Sequence, residues 1–200
     1  EDVLSVENSK FPKVLTANNN YRAKHVFDSG ITEDYFSESN NFTKIIQHFK
    51  GWIIETDVPT FNPDQFTMMD YRLKDGEQTT FTYVLPLSTK KALVEFTYFT
   101  PTLVDEPTYD RYIKQYISNL LKIDAYTIVE TESGSIPMTN FPFETYSTKY
   151  ITKIGTAGGW VKGSTGYSFK HSEKKVALII ANLKANNTPS KNLFKQKYKF

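Results

Sequence analysis

Residues 78–99, QTTFTYVLPLSTKKALVEFTYF, alternate in polarity with a period of two on either side of a short connection. Phe81, Tyr83 and Leu85 share one side of the first run, Pro86–Lys90 turns the chain, and KALVEFTYF returns. Successive side chains of an extended strand point to opposite faces. The return therefore puts Leu93, Glu95, Thr97 and Phe99 on one face and Ala92, Val94, Phe96 and Tyr98 on the other. A β-hairpin is expected here. Glu95 is out of place on a face shared with Leu and Phe. It is either an acid whose ionised form burial disfavours, ready to give up a proton, or an edge glutamate reaching solvent or pairing with Lys90, Lys91 or Arg72.

The flanks read as more sheet and two helices. Phe42–Glu55, FTKIIQHFKGWIIE, is a strand interrupted at Gly51, and residues 57–65, with two prolines, are a loop. Glu106–Lys122 reads as a helix: Asp105 caps it, Pro107 suits its first turn, and Tyr109, Tyr112, Ile113, Tyr116, Ile117, Leu120 and Leu121 recur at helical spacing. Short strands are expected at Val3–Val6, Lys13–Ala17, Tyr21–Phe27, Tyr126–Thr131 and Tyr150–Ile154, with a polar loop from Ser29 to Asn41. A second helix should begin near Ser164 or Thr165 and turn Phe169, Val176, Ile180 and Leu183 toward a core. The whole is α+β, a mostly antiparallel sheet with helices on one side, in a single domain over residues 1–200.

Composition narrows the chemistry. With 200 residues, 39% of them hydrophobic and 15% aromatic, the chain holds enough apolar surface for a core, which excludes a disordered segment. No cysteine is present, so disulfides, thiolate nucleophiles and cysteine-ligated metals are excluded. The longest apolar run, Val176–Ala181, is far short of a membrane span of about 20 residues. The chain reads as soluble or membrane-peripheral, and intracellular. Residues 1–148 carry 13 basic and 21 acidic side chains, whereas residues 149–200 carry 11 lysines and one acid, Glu173. The basic end either faces phosphates, a nucleic acid or an anionic membrane, or is a solvated helix face with a basic tail. No basic–aromatic nucleic-acid signature accompanies it.

His25, His48 and His171 are too dispersed for a metal triad, and no metal site is expected. A second segment does carry a signal: GTAGGWVKGSTGY, residues 155–167, holds five of the nine glycines directly after an apolar strand. A strand that enters a glycine-rich turn and then a helix exposes backbone N–H groups and a positive dipole end. Those suit a phosphate or the edge of a flavin ring. Thr165-Gly166 would stand at the helix start. A plain glycine turn is the alternative.

FTYVLPLSTKKALVEFTYFTP (81–101), GSIPMTNFPF (134–143) and KIGTAGGWVKGSTGYSF (153–169) resemble the lycopene cyclase family, and FKGWIIE (49–55) and MMDYR (68–72) match two further blocks in order. The resemblance implies a flavoprotein of the FAD/NAD(P)-binding, aromatic-hydroxylase-like fold. Such enzymes use reduced FAD without net redox to cyclise the linear end of lycopene. The family's opening G-x-G-x-x-G has no counterpart here, so the 200 residues read as an internal, substrate-binding piece lacking the ADP-binding half. FAD is expected in the full-length enzyme, while this piece alone is expected to bind none and to be inactive. The family's Phe-Leu-Glu-Glu-Thr block lies over Leu93-Val94-Glu95-Phe96-Thr97, which makes Glu95 the implied proton donor and leaves Phe96 at the second acid's position. Trp52, Phe81, Tyr83 and Trp160 are candidates to face substrate and steady a carbocation. Gly155, Ala157, Gly158, Thr165 and Gly166 match the flavin-side motif, with Gly163 where a proline is usual. Asp28 in VFDSG matches a flavin contact, and Gly30 departs from the family's Arg. Glu55, Asp70 and Arg72 match charged positions that are either catalytic or a structural ion pair.

The resemblance implies an acyclic carotenoid as substrate, no nucleic-acid partner, and a cytoplasmic enzyme peripherally bound to a membrane, with residues 170–199 one candidate contact. A flavin monooxygenase or prenyl reductase of the same superfamily would share the GTAGG turn without the Glu95 block. A non-enzymatic module binding an apolar ligand would need no flavin.

Overall fold

A computed structural model describes residues 1–37 and 41–194. The chain divides into two compact units, one contiguous (Lys44–Pro137) and one built from both ends (Glu1–Thr43 with Met138–Phe200). The single domain expected over residues 1–200 thus comprises two compact units. The discontinuous unit opens with β1 (Val3–Glu7), β2 (Lys13–Thr16) and β3 (Asn20–Arg22), paired antiparallel in that order, followed by β4 (Val26–Asp28). The expected single strand Tyr21–Phe27 is thus two strands in different sheets. Its backbone changes partners on the way: Ala23 N–H donates to the Pro12 carbonyl and Val26 N–H to that of Tyr150.

The contiguous unit holds β5 (Lys44–Glu55), β6 (Thr67–Asp70), β7 (Thr79–Pro86), β8 (Lys91–Thr100), helix α1 (Glu106–Tyr116) and β9 (Thr127–Thr139). Its sheet runs in the order β6-β7-β8-β5-β9, so β8, which carries Glu95, is the central strand. The β7–β8 hairpin forms as expected and β5 pairs antiparallel with β8 over its length. One face of the sheet, with Trp52, Ile54, Val94, Phe96 and Tyr98, packs on Tyr109, Ile113, Tyr116 and Ile117. Ile113 and Ile117 are fully buried, and each such side chain contributes roughly 1.5–3 kcal/mol. Asp105 caps α1, accepting from Thr108 N–H at 3.1 Å. Beyond Tyr116 the last turn widens over Ile117–Leu121 and ends at Lys122, whose φ is 58°.

Polar contacts fix α1 on the sheet. Tyr116 O–H donates to Asp70 Oδ2 at 2.7 Å, and the Asp70 carboxylate also accepts two bonds from Arg72 Nε at 2.9 Å. Those donors hold the Asp70 carboxyl well below the usual range, Arg72 foremost. The Asp70–Arg72 pair therefore takes its structural reading. Glu55 is exposed at the end of β5, opposite Lys91. β5 runs unbroken through Gly51, and β9 extends well past the expected Tyr126–Thr131, through Gly134, against which the Phe49 ring packs.

The chain then returns to the discontinuous unit with β10 (Ile151–Lys153), which pairs in parallel with β4, and α2 (Phe169–Lys184). α2 departs from expectation twice. It begins at Phe169 rather than near Thr165, and Phe169, Val176, Ile180 and Leu183 are exposed. The buried stripe is instead His171, Lys175, Ile179 and Asn182. The period was right and the phase was off by about one residue. Polar groups take the inner face because the segment after the helix offers carbonyls there: Lys175 Nζ donates to Leu193 O at 2.8 Å and Asn182 Nδ2 to Lys191 O at 2.8 Å.

Candidate active site

Glu95 lies on the sheet face opposite α1. The register sets Tyr83 on one side of it and Gly51 on the other, with the next row Phe81, Thr97 and Phe49. Phe81 is fully buried, edge-on to Tyr83 at 5.0 Å between ring centres, with Phe99 at 5.7 Å. In this aromatic setting Glu95 is only 9% exposed. Thr97 Oγ1 donates to Glu95 Oε1 at 3.0 Å. Burial pushes the Glu95 carboxyl up to about 7, the Thr97 bond opposes the rise, and a hydrogen bond and charge from Glu132 on β9 add to it. At neutral pH a large fraction of Glu95 thus carries a proton.

Phe96, at the second acid position, points the other way. It is fully buried under α1 and stacks on Tyr112 at 4.9 Å. A carboxyl there would sit in the apolar core, so its absence takes nothing from the Glu95 face. Trp52 shares that inner face: it pairs with Val94 in register, packs in the α1 core, and has Lys114 Nζ 5.9 Å from its ring centre. The structure therefore brings Tyr83 and Phe81 to Glu95 and turns Trp52 away from it. Trp160 belongs to the discontinuous unit, where it is buried with Ile179 and Leu193; its indole N–H has no hydrogen-bond partner among the described residues.

The glycine-rich turn follows β10. Lys153 Nζ binds Asp28 Oδ2 at 2.5 Å and Gly30 O at 2.8 Å, and Ile154 N–H donates to the Asp28 carbonyl. Asp28 is thereby held beside the turn and neutralised by a lysine. Gly155–Gly158 form one tight helical turn, with Ala157 and Gly158 buried. Gly155 has φ 59° and open space where a Cβ would stand, whereas a Cβ on Gly158 would collide with the Lys153 carbonyl. Asp28, Gly155, Ala157 and Gly158 thus come together. Thr165 and Gly166 lie in a separate turn, their N–H groups donating to Lys162 O at 3.1 and 2.9 Å. α2 starts only at Phe169, so the expected placement of Thr165-Gly166 at a helix N-terminus is corrected. The open flank of Gly155 fits the close approach of a flat ring.

Sequence reasoning missed Glu132. The available signal was Gly51, since a glycine inside a strand marks a close approach. A Cβ there would come within 2.8 Å of Leu93 Cδ1 and 3.2 Å of Glu132 Cγ. Among the described residues there is no cluster able to hold a metal ion, and no helix is long and apolar enough to cross a membrane.

A mostly antiparallel sheet backed by a helix in one unit, and a parallel strand pair leading into a glycine-rich turn in the other, define the aromatic-hydroxylase-like α+β class. Solved structures agree on that fold. A geranylgeranyl bacteriochlorophyll reductase-like protein of Thermoplasma acidophilum matches with a TM-score of 0.65 at 17% identity, over 96% of this chain and 51% of that one. HpxO R204Q of Klebsiella pneumoniae, complexed with FAD, gives 0.61 at 13% identity over 96% and 52%. The flavin-dependent brominase Bmp2 gives 0.57 at 12% identity over 96% and 53%. The chain spans about half the length of each. The family model described as lycopene cyclase protein matches residues 1–199, and the chain belongs to the lycopene cyclase family. No curated protein sequence matches it.

Proposed function

We propose that this chain is the substrate-binding part of a lycopene β-cyclase-like flavoenzyme, with Glu95 as the acid that starts the cyclisation of an acyclic carotenoid end group. The observation that carries this reading is a carboxyl buried on an aromatic-lined sheet face, where desolvation favours its protonated form. An alkene is a weak base, and its protonation needs an acid without competing water. Glu95 gives its proton to the terminal double bond. The electrons of the neighbouring double bond close the six-membered ring onto the resulting cation, and loss of a ring proton restores neutrality. Tyr83, beside Glu95, and Phe81 offer π faces that steady positive charge as it develops.

Reduced FAD, when bound, would supply electron density able to stabilise developing positive charge. Gly155, whose flank is open, and the neighbouring backbone of Ala157 and Gly158 are the residues that would hold its ring edge, with Asp28 beside them.

The substrate class implies a membrane source. Exposed Phe169, Val176, Ile180 and Leu183, interspersed with Lys170, Lys174 and Lys184, support peripheral contact with an anionic bilayer. The test is Glu95→Gln in the full-length enzyme. Cyclisation of lycopene should be lost while the flavin absorption spectrum is unchanged, and retained cyclisation overturns the assignment.

The likeness to a prenyl reductase-like protein favours a second reading, reduction of an isoprenoid double bond on the same face. It predicts consumption of one reduced flavin per product, where cyclisation consumes none.

A further inference from the structure

The central strand gives Glu95 three kinds of neighbour on its face: Tyr83 from β7, Gly51 from β5, and its own strand's Thr97. Beyond Gly51 lies β9, and the side chain that crosses back over the glycine is Glu132. Its Cγ and Oε1 are 3.2 and 3.3 Å from the point a Gly51 Cβ would occupy. Gly51 is the direct register partner of Glu95, so the Glu132 carboxyl that occupies the space over the glycine comes up beside the Glu95 side chain. Two carboxylates that close repel each other unless one of them carries a proton.

We propose that Glu95 and Glu132 form a two-carboxyl site that holds one shared proton, with Gly51 as the gap that lets them meet. Glu132 is then a positioning residue. It keeps the proton on Glu95 and fixes the direction in which the carboxyl points, and after Glu95 has discharged it offers a second oxygen through which a proton returns.

Among the described residues the charged and titratable groups on this face are few, with Tyr71 packed on the Phe81 ring at its β6 side. Tyr83 faces Glu95 from β7, Glu130 stands two residues from Glu132 on β9, and the Lys91–Glu55 row lies at the far end of the β8–β5 pairing. Lys50, next to Gly51, is turned to α1, where it binds Glu106 and Asp110. Among the described residues Lys50, the cation next to Gly51, is thus held on the opposite face of the sheet from Glu95. A like-charge neighbour in a dry setting raises the proton affinity of Glu95. The role given to Glu132 rests on Glu95 being the acid of the proposed reaction, but the shared proton does not.

The test separates the two. Infrared difference spectra across a pH titration of the 200-residue chain read the C=O band of a protonated carboxyl. Wild type should show one such band with a midpoint near neutrality, absent in Glu95→Gln. Glu132→Gln should lower the midpoint by one pH unit or more, a tenfold or greater loss of proton affinity. Gly51→Ala, which pushes Glu132 aside, should lower it as well, and circular dichroism would certify that both variants are folded. An unmoved midpoint in folded Glu132→Gln overturns the pair and leaves burial as the whole cause. If the midpoint moves as stated while Glu95→Gln keeps cyclase activity in the full-length enzyme, the pair stands and the acid assignment falls.

Discussion

Replacing Glu95 by Gln should make this protein more stable above neutral pH, by an amount the environment of the carboxyl sets. The folded chain holds the Glu95 proton up to about pH 7, whereas an ordinary glutamate releases it near 4.5. Ionising the buried group therefore costs about 3 kcal/mol more than ionising it in the unfolded chain. The sign follows from proton counting. Between pH 4.5 and 7 the folded state binds the proton and the unfolded state does not, so wild-type stability falls through that window and then levels off. Gln has the same shape, still accepts from Thr97 Oγ1, and has nothing to ionise. The two proteins should run close together at pH 5 and separate to about 3 kcal/mol at pH 8, a displacement of roughly 1–2 M in urea midpoint at an ordinary slope. Urea titrations followed by tryptophan fluorescence at pH 5, 6, 7 and 8 measure it. Parallel curves over that range would refute the argument, because they would mean that Glu95 ionises in the folded state as freely as it does in water.

Three further outcomes follow from the fold. Ile117→Ala empties a fully buried site between the end of α1 and the sheet and should cost about 2–5 kcal/mol in a denaturation series; a loss under about 0.5 would show that the stripe is not core. Tyr116→Phe removes one donor to the Asp70 carboxylate and should cost about 1–3 kcal/mol near neutral pH. Because Arg72 foremost holds folded Asp70 well below the usual carboxylate range, that difference should persist unchanged through pH 4, and a cost that already fades between pH 5 and 4 would show that Asp70 is protonated there in the folded state. Gly158→Ala forces a methyl into the Lys153 carbonyl and should lower the melting temperature, whereas the open space at Gly155 leaves Gly155→Ala only the strain of its positive φ.

Much of this architecture was legible because its signals are local. The period-two pattern of residues 81–99 yields the hairpin and places Glu95 opposite Val94 and Phe96 without reference to anything distant. Asp105, Pro107 and the apolar stripe announce α1 equally well. What escaped was whatever depends on a partner far along the chain. Glu132 is one strand away from Gly51 and 81 residues away in sequence, so no window around Glu95 contains it. The inner face of α2 was misjudged for the same reason. Lys175 and Asn182 look like solvent-facing residues until the carbonyls of residues 189–193 are seen to receive them. Trp52 is the instructive case among the candidates. Its own strand alternates, but only the pairing with Val94 reveals that it points under the helix rather than toward the acid.

The discontinuous unit has a consequence for how the chain reaches its native state. Its parallel pair, Val26–Asp28 with Ile151–Lys153, joins segments more than 120 residues apart, a slow contact to find by diffusion. β5 and β9 are neighbours, with Phe49 against Gly134 and Gly51 against Glu132, so completion of the contiguous unit draws the start of β5 to the end of β9. Thr43 N–H then reaches Asn140 Oδ1 at 2.9 Å. The loop left to close shrinks to about 30 residues, which lowers its entropic cost by about 1 kcal/mol. On a ribosome the inserted sheet can finish while the second half of its host is still being made. It acts as a clasp that brings the two ends of the host together, and the order of folding is written into the order of the chain.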